Sequence, residues 1–379
     1  MSAPQRQSPR AVAEAGAGGI TVRPPRVSVI APHAVESLDG CLDPNRVRDL
    51  LETGGYVRPM LPAVLVYRLR SGRHEQTGVV VEVSLEDYRN GRIRRHEATR
   101  PDRERRIAEL TEASGAEQMP VMLTHPDLPA LASSLRETTR HTPDVGILSS
   151  GGVEHSVWIR RDAELAGLVR RELGALSRVY IADGHHRMAV AERRSRTRPH
   201  RDTDTRSFTL AALFPGSEMR VLGYHRCLPE PPGLSTSEIL DVLAEHPTVA
   251  RVEECPRHAP SNPAPGMVLL RLHDRCFRLW LDPSGSPDRS VRGTLDAVVL
   301  DEQLYPYVAR LVDSAGSTVP ADPSGTRCWC ASRNAVCFVP RPPDVEQIMA
   351  VSDTGAVMPP KSTCFDPKTA PGLFVRELH

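Results

Sequence analysis

The sequence predicts an α+β fold: a mixed-sheet core with an additional C-terminal α/β region packed against it. Three observations point there. Residues 63–69 and 78–83 are β-branched runs either side of a polar, Gly-containing segment, which is the pattern of a hairpin. Residues 179–192 run from an apolar strand through Asp183-Gly184 into a helix. Further strands and helices follow without the regular alternation of a doubly wound sheet. The chain has 379 residues, 40% of them hydrophobic and 25% charged, which is ample for one large or two medium folded domains.

The elements are read in chain order. Residues 1–19, rich in Ala, Gly, Ser, Pro and Gln, predict a disordered tail. Residues 20–37 form a Pro-interrupted apolar stretch with room for one or two short strands, and the hairpin comes next. After the turn Asn90-Gly91 the charged stretch 93–100 leads into helical residues 103–110. A strand is expected at 120–123, a helix at 127–140 with Asp127 as its N-cap, and another helix at 163–176. Strand 179–183 and its helix come next, then strands at 207–214 and 221–226, with a boundary at 229–233. The second half predicts a helix at 236–246, a hairpin over 267–281 and a helix at 295–311. A strand at 335–339, a helix at 345–350 and a Pro-rich loop at 358–368 complete it. The implied division is a tail (1–19), a core with insertions (20–230) and a C-terminal region (231–379) that lends its loop to the core.

Composition excludes several function classes. A net charge of +1 gives no reason to expect nucleic acid or an anionic membrane as partner. No apolar run is long enough to span a bilayer, and the first twenty residues lack a secretion signal, so a cytoplasmic protein is expected. The eight cysteines include no C-x-x-C pair, and Cys328 and Cys330 are too close for a zinc knuckle, so reduced, mostly buried thiols are expected. Among 48 basic residues only Lys361 and Lys368 are lysines. Where arginine serves almost everywhere else, two lysines seven positions apart point to a need for a compact, rotatable ammonium.

Four polar segments carry chemical potential: His96-Glu97 with Arg100, Asp183 to Arg187, His225-Arg226, and Lys361 to Lys368. The first turn of a helix has unpartnered N–H groups and the positive end of the macrodipole, so the Asp183 turn suits a phosphate. An ordinary Asp-capped connection explains the same residues. If the four segments converge, they supply what phosphoryl transfer requires: cations for the phosphoryl oxygens and a carboxylate for the attacking hydroxyl. Glu97 is then the base, although local salt bridges to Arg94 or Arg100 are the alternative use of it. Adjacent His185 and His186 do not share one helix face, so a dedicated zinc site is not expected. Mg²⁺ arriving with a nucleotide and held by Asp183 is compatible with the pattern. No G-x-G-x-x-G, Walker lysine loop or G-x-S-x-G elbow is present, which removes the usual support for dehydrogenases, P-loop NTPases and α/β-hydrolases.

LEDYRNGRIRRHEATR (85–100), YIADGHHR (180–187), Tyr224-His225-Arg226 and MPPKSTCFDPK (358–368) together resemble the bacterial and archaeal family called domain of unknown function 1015. The resemblance runs from about residue 62 to the C-terminus. The chain departs from the pattern in lacking a Pro-Tyr-Asp segment near residues 29–35 and in having Cys364 and Asp366 where aromatic residues are common. The DGHHR turn is also similar to the nucleotide-binding turn of the ParB and sulfiredoxin superfamily, which includes free-serine kinases. The resemblance implies a ParB/sulfiredoxin-like core and an ATP- or ADP-dependent kinase, with Mg²⁺, acting on a small hydroxylated metabolite such as serine. It implies phosphate contacts from Asp183, Gly184, His185, His186, Arg187, Lys361, Ser362, Thr363 and Lys368, and catalysis by Glu97, His185 and Lys361. His96, Arg100, His225 and Arg226 are the implied substrate contacts. The alternatives are a phosphatase or phosphotransferase acting on a phosphorylated amino acid, and a non-enzymatic nucleotide-sensing or DNA-partitioning module.

Overall fold

The computed structural model describes residues 18–34, 43–59, 63–196, 207–256, 262–273, 275–285, 287–312, 317–320 and 335–378. The tail expected at 1–19 lies outside these apart from Gly18 and Gly19.

The centre is a nine-stranded mixed sheet. Its strands lie in the order Ile93–Arg94, Val179–Asp183, Val121–His125, Phe208–Pro215, His74–Ser84, Val64–Ser71, Val153–Arg160, Val145–Leu148, with Val22–Arg23 added beside His74–Ser84. The predicted hairpin is the Val64–Ser71 and His74–Ser84 pair. Two pairings are parallel, Val179–Asp183 with Ile93–Arg94 and Phe208–Pro215 with Val121–His125, so the sheet is mixed as predicted. Side chains alternate in period two. Val64, Val66, Val79, Val81 and Leu213 face helices Pro129–Thr138, Ala163–Gly174 and His185–Arg196. Leu65, Tyr67, Leu69, Val80 and Phe214 face the opposite way, into a core completed by the C-terminal residues Ile348, Val351, Phe365 and Phe374.

A second sheet is antiparallel throughout, in the order Val249–Cys255, Arg275–Leu281, Met267–Leu272, Ala335–Pro340, Tyr224–Pro229, Ser317–Pro320. Helix Thr236–Ala244 and the helical run from Asp296 pack on one face through Ile239, Leu243, Leu300 and Leu304. Its other face carries Cys227, Cys255, Cys276 and Cys337. Cys255, Cys276 and Cys364 are free thiols, as expected. Cys227 is not: it is disulfide-bonded.

After residue 340 the chain returns to pack against the first sheet, where its strands form two smaller sheets. Cys364–Asp366 pairs with Arg220–Leu222, and Phe374–Glu377 lies between Ser28–Ile30 and Ala116–Glu117. That return brings the Lys361 to Lys368 loop beside the Asp183 turn.

Two local expectations are corrected. Asp127 does not cap the helix: Leu128 occupies the N-cap of Pro129–Thr138, and the Asp127 carboxylate accepts instead from the Ser217 N–H at 3.3 Å. The helix expected at 295–311 is three segments, Asp296–Val299, a π-turn at Leu300–Leu304, and Tyr305–Val312. Pro306 has no N–H to donate and crowds the preceding turn, so the ladder widens just before it.

Asp296, at the head of this run, gives a test of the fold. Its carboxylate accepts the Gly266 N–H at 3.0 Å, and burial outweighs that bond and pushes its pKa up to about 6. A carboxylate whose folded pKa is raised stabilises the fold at low pH and loses that contribution as pH rises through the folded value. Asp296→Asn keeps an acceptor without the buried charge. It is expected to raise the melting temperature at pH 7 but not at pH 4, and equal melting at both would refute the assignment.

Candidate functional site

Strand Val179–Asp183 ends in a register irregularity after Ile181, and helix His185–Arg196 begins immediately beyond Gly184. Gly184 has φ +98°, and a Cβ there would lie 2.6 Å from Arg187 Nη2. Glycine therefore allows Arg187 to fold back over the turn. Arg187 donates to Asp183 Oδ2 at 2.7 Å, and Lys368 Nζ donates to Asp183 Oδ1 at 2.8 Å. Burial pushes the Asp183 carboxyl up, but Arg187 and then Lys368 outweigh it and hold the group well below the usual carboxylate range. Both oxygens are thus tied to cations. Asp183 is an anchor for two positive side chains, and the expected Mg²⁺ ligand role does not fit it.

Ile93–Arg94 lies parallel beside this strand, so the chain after it passes the mouth of the turn. There Glu97 bridges to Met358, and the Met358 N–H donates to the His96 carbonyl at 2.8 Å. His96 Nε2 is 3.0 Å from Thr363 Oγ1, and its ring meets His185 edge-on with centroids 4.5 Å apart. Burial lowers the pKa of both rings, His96 to about 4 and His185 well below its ordinary value. Glu97 is partly buried and its carboxyl is raised by burial, against the pull of Lys361 and Lys368 and with a push from Asp183. One ligand-capable atom each of His96, Glu97 and His185 lies within 4.8 Å of the others.

The loop supplies the other wall. Lys361 has φ +66°, and its Nζ stands 5.1 Å from the centroid of the Tyr224 ring, a cation–π contact. Arg226, expected to bind substrate, is instead a strut for this loop. It pairs bidentately with Asp301 at 2.5 Å and donates to the Lys361 carbonyl at 3.1 Å. Asp301 comes from the π-turn, so the irregularity that Pro306 imposes presents the carboxylate that fixes Arg226.

Other expected contacts are not brought in as ligands. His225 alternates with Tyr224 and Arg226 in Tyr224–Pro229, so it leaves the sheet by the opposite face. The Arg100 guanidinium pairs with Asp102 on the surface, though the Arg100 N–H donates to His186 Nε2 at 3.0 Å. Ser362 Oγ donates to the Pro359 carbonyl at 2.8 Å.

Beside the turn lies a cavity of about 290 Å³, between helices Pro101–Ser114 and His185–Arg196. Arg103, Gly184, His186, Arg187 and Arg194 line its polar side, and Ile107, Met119 and Val190 are among its apolar lining. Tyr224, Asp301, Arg103 and Arg194 were not anticipated as site residues. Tyr224 sits inside a quoted motif, but in an arginine-rich chain nothing local distinguishes Arg103 or Arg194 from surface charge.

Residues 44–300 match a family described as a protein of unknown function (DUF1015). No curated protein matches the chain. Among solved structures, it is similar to SbnI with a C-terminal truncation from Staphylococcus aureus, at 12% identity and TM-score 0.42, covering 77% of this chain and 87% of that one. A mutant free serine kinase in complex with ADP is similar at 13% identity and TM-score 0.40, covering 79% and 92%. A conserved hypothetical protein from Pyrococcus furiosus is similar at 13% identity and TM-score 0.36, covering 78% and 94%. Among the described residues, no helix is long and apolar enough to cross a membrane.

Proposed function

The chain belongs to the DUF1015 family of proteins of unknown function, and from that premise we propose nucleotide-dependent phosphoryl transfer to the hydroxyl of a small metabolite, with a free amino acid such as serine as the acceptor. The observation that carries this reading is the ion pair between Asp183 and Lys368 at 2.8 Å. It joins the helix N-terminus to the lysine loop and puts Glu97 between two cationic walls.

Phosphate oxygens of ATP or ADP meet the N–H groups of the first turn of helix His185–Arg196, with Arg187 and Lys368 adjacent. The neighbouring cavity takes the rest of the nucleotide. Glu97 accepts the substrate hydroxyl proton as that oxygen bonds to the terminal phosphorus, and the bond from phosphorus to the bridging oxygen breaks, leaving the shortened nucleotide. Lys361, the cation over Tyr224, moves with the charge on the transferring oxygens. No step is assigned to Mg²⁺, because Asp183 is already neutralised.

The test is to incubate the full chain with serine and ATP or ADP and look for phosphoserine. Its absence across a panel of hydroxy amino acids overturns the kinase reading, and phosphate release from phosphoserine without nucleotide replaces it with a phosphatase. Lys361→Arg is a second check. The guanidinium is planar and wider than the ammonium it replaces. Loss of one charge-assisted hydrogen bond, about 1.5–3 kcal/mol, predicts at least a ~10-fold fall in turnover with unchanged melting. Near-full activity would show that the rare lysine is an accident of composition.

A further inference from the structure

We propose that His96, Glu97 and His185 hold a divalent transition ion of zinc-like ligand preference. Ligand-capable atoms of the three lie within 4.8 Å of one another, against about 3.3 Å between tetrahedral ligands at normal zinc distances, so small side-chain rotations close the site. The second observation is independent of that proximity. The His185 ring, 5% exposed, keeps its Nε2 buried without a hydrogen-bond partner. An orphaned buried polar atom costs about 1–3 kcal/mol, and an ion bound at the His185 nitrogen removes that cost.

The donor set selects the ion. Two imidazoles and one carboxylate suit zinc, cobalt, iron or manganese, whereas magnesium and calcium take oxygen ligands. Three protein ligands leave a coordination position open, the arrangement of a reactive site and not of a structural one. Lys361 and Lys368 oppose the charge of the ion, while Glu97 favours it. A cationic surround suits an anionic fourth ligand, such as a phosphate oxygen. Sequence spacing hides this set, because His185 and His186 are adjacent and the true partners of His185 come from residues 96 and 97.

This inference goes beyond phosphoryl transfer and does not depend on it, so its test uses no nucleotide. The full chain is stripped with a chelator and titrated with Co²⁺, whose visible bands report coordination. One equivalent is expected to bind with nitrogen and oxygen ligands, without a thiolate charge-transfer band, and excess Mg²⁺ is expected not to displace it. Zn²⁺ is expected to raise the melting temperature of the stripped protein. His185→Ala and Glu97→Gln are each expected to weaken binding by at least about tenfold. If His185→Ala does not fold, the Glu97→Gln result decides. The proposal is overturned if Co²⁺ does not bind saturably, if a folded variant keeps wild-type affinity, or if the spectrum shows cysteine ligation. Loss of ion binding with phosphoryl transfer intact, or the reverse, tells the two readings apart.

Discussion

Arg376→Met is expected to destabilise the fold by about 3–5 kcal/mol, the loss seen when one partner of a buried ion pair is removed. Arg376 is 0% exposed in strand Phe374–Glu377. It lies 3.1 Å from Glu82, which is also fully buried, and 3.1 Å from Glu117. Methionine fills much of the space but leaves two carboxylates short of a cation. Arg23 still meets Glu82 and Arg194 still meets Glu117, which limits the loss. The penalty comes from uncompensated charge and not from lost packing. Arg376→Met combined with Glu82→Gln should therefore recover part of the stability, because glutamine can still accept the Arg26 N–H now held by Glu82. Denaturant unfolding of the two variants checks this. A single-variant loss below about 1 kcal/mol, the range of exposed pairs, refutes the account. Glu117 also lines the cavity beside the Asp183 turn, so the network couples the C-terminal strand to the candidate site.

What the sequence disclosed follows from where each segment finds its partners. The hairpin Val64–Ser71 with His74–Ser84 pairs with itself, so its pattern is complete locally. Strand Val153–Arg160 was not anticipated, because its buried positions include His155, whose Nδ1 meets the Tyr67 hydroxyl at 2.7 Å on another strand. Strand Phe374–Glu377 takes its partners from residues near 28 and 116, which no local pattern can announce. Helix Pro44–Glu52 carries its own local signal, since Asp43 caps it and proline begins it. At the site, the scarcity of lysine led to Lys368 and hence to Asp183. Arg226 and His225 are placed apart from one another. The first is consumed by Asp301, a carboxylate that only the π-turn presents, and the second faces away by the strand's period of two.

Glu97→Gln is expected to lower turnover by about 10²–10⁴, the usual contribution of a positioned general base. The substitution keeps the shape and one acceptor oxygen but cannot take a proton. Glu97 is tied through its backbone to Met358 and surrounded by Lys361, Lys368, Arg103 and Asp183, so glutamine should stay in place. Nucleotide affinity is the control. The first turn of helix His185–Arg196, with Arg187 and Lys368, is unchanged by the variant, so the dissociation constant for ADP should remain within about twofold, a difference of under 0.5 kcal/mol. Turnover falling while affinity holds identifies a group needed in the transition state, since an interaction made equally with ground and transition states would move binding as well. Parallel losses of turnover and affinity would make Glu97 a binding residue. The ion proposed at His96, Glu97 and His185 adds a further separation. If Glu97 acts only as a ligand, Glu97→Asp, which retains a carboxylate on a shorter arm, should lose Co²⁺ affinity and turnover by the same factor. If it acts as the base, adding Co²⁺ to saturation should leave the Glu97→Gln defect unrelieved.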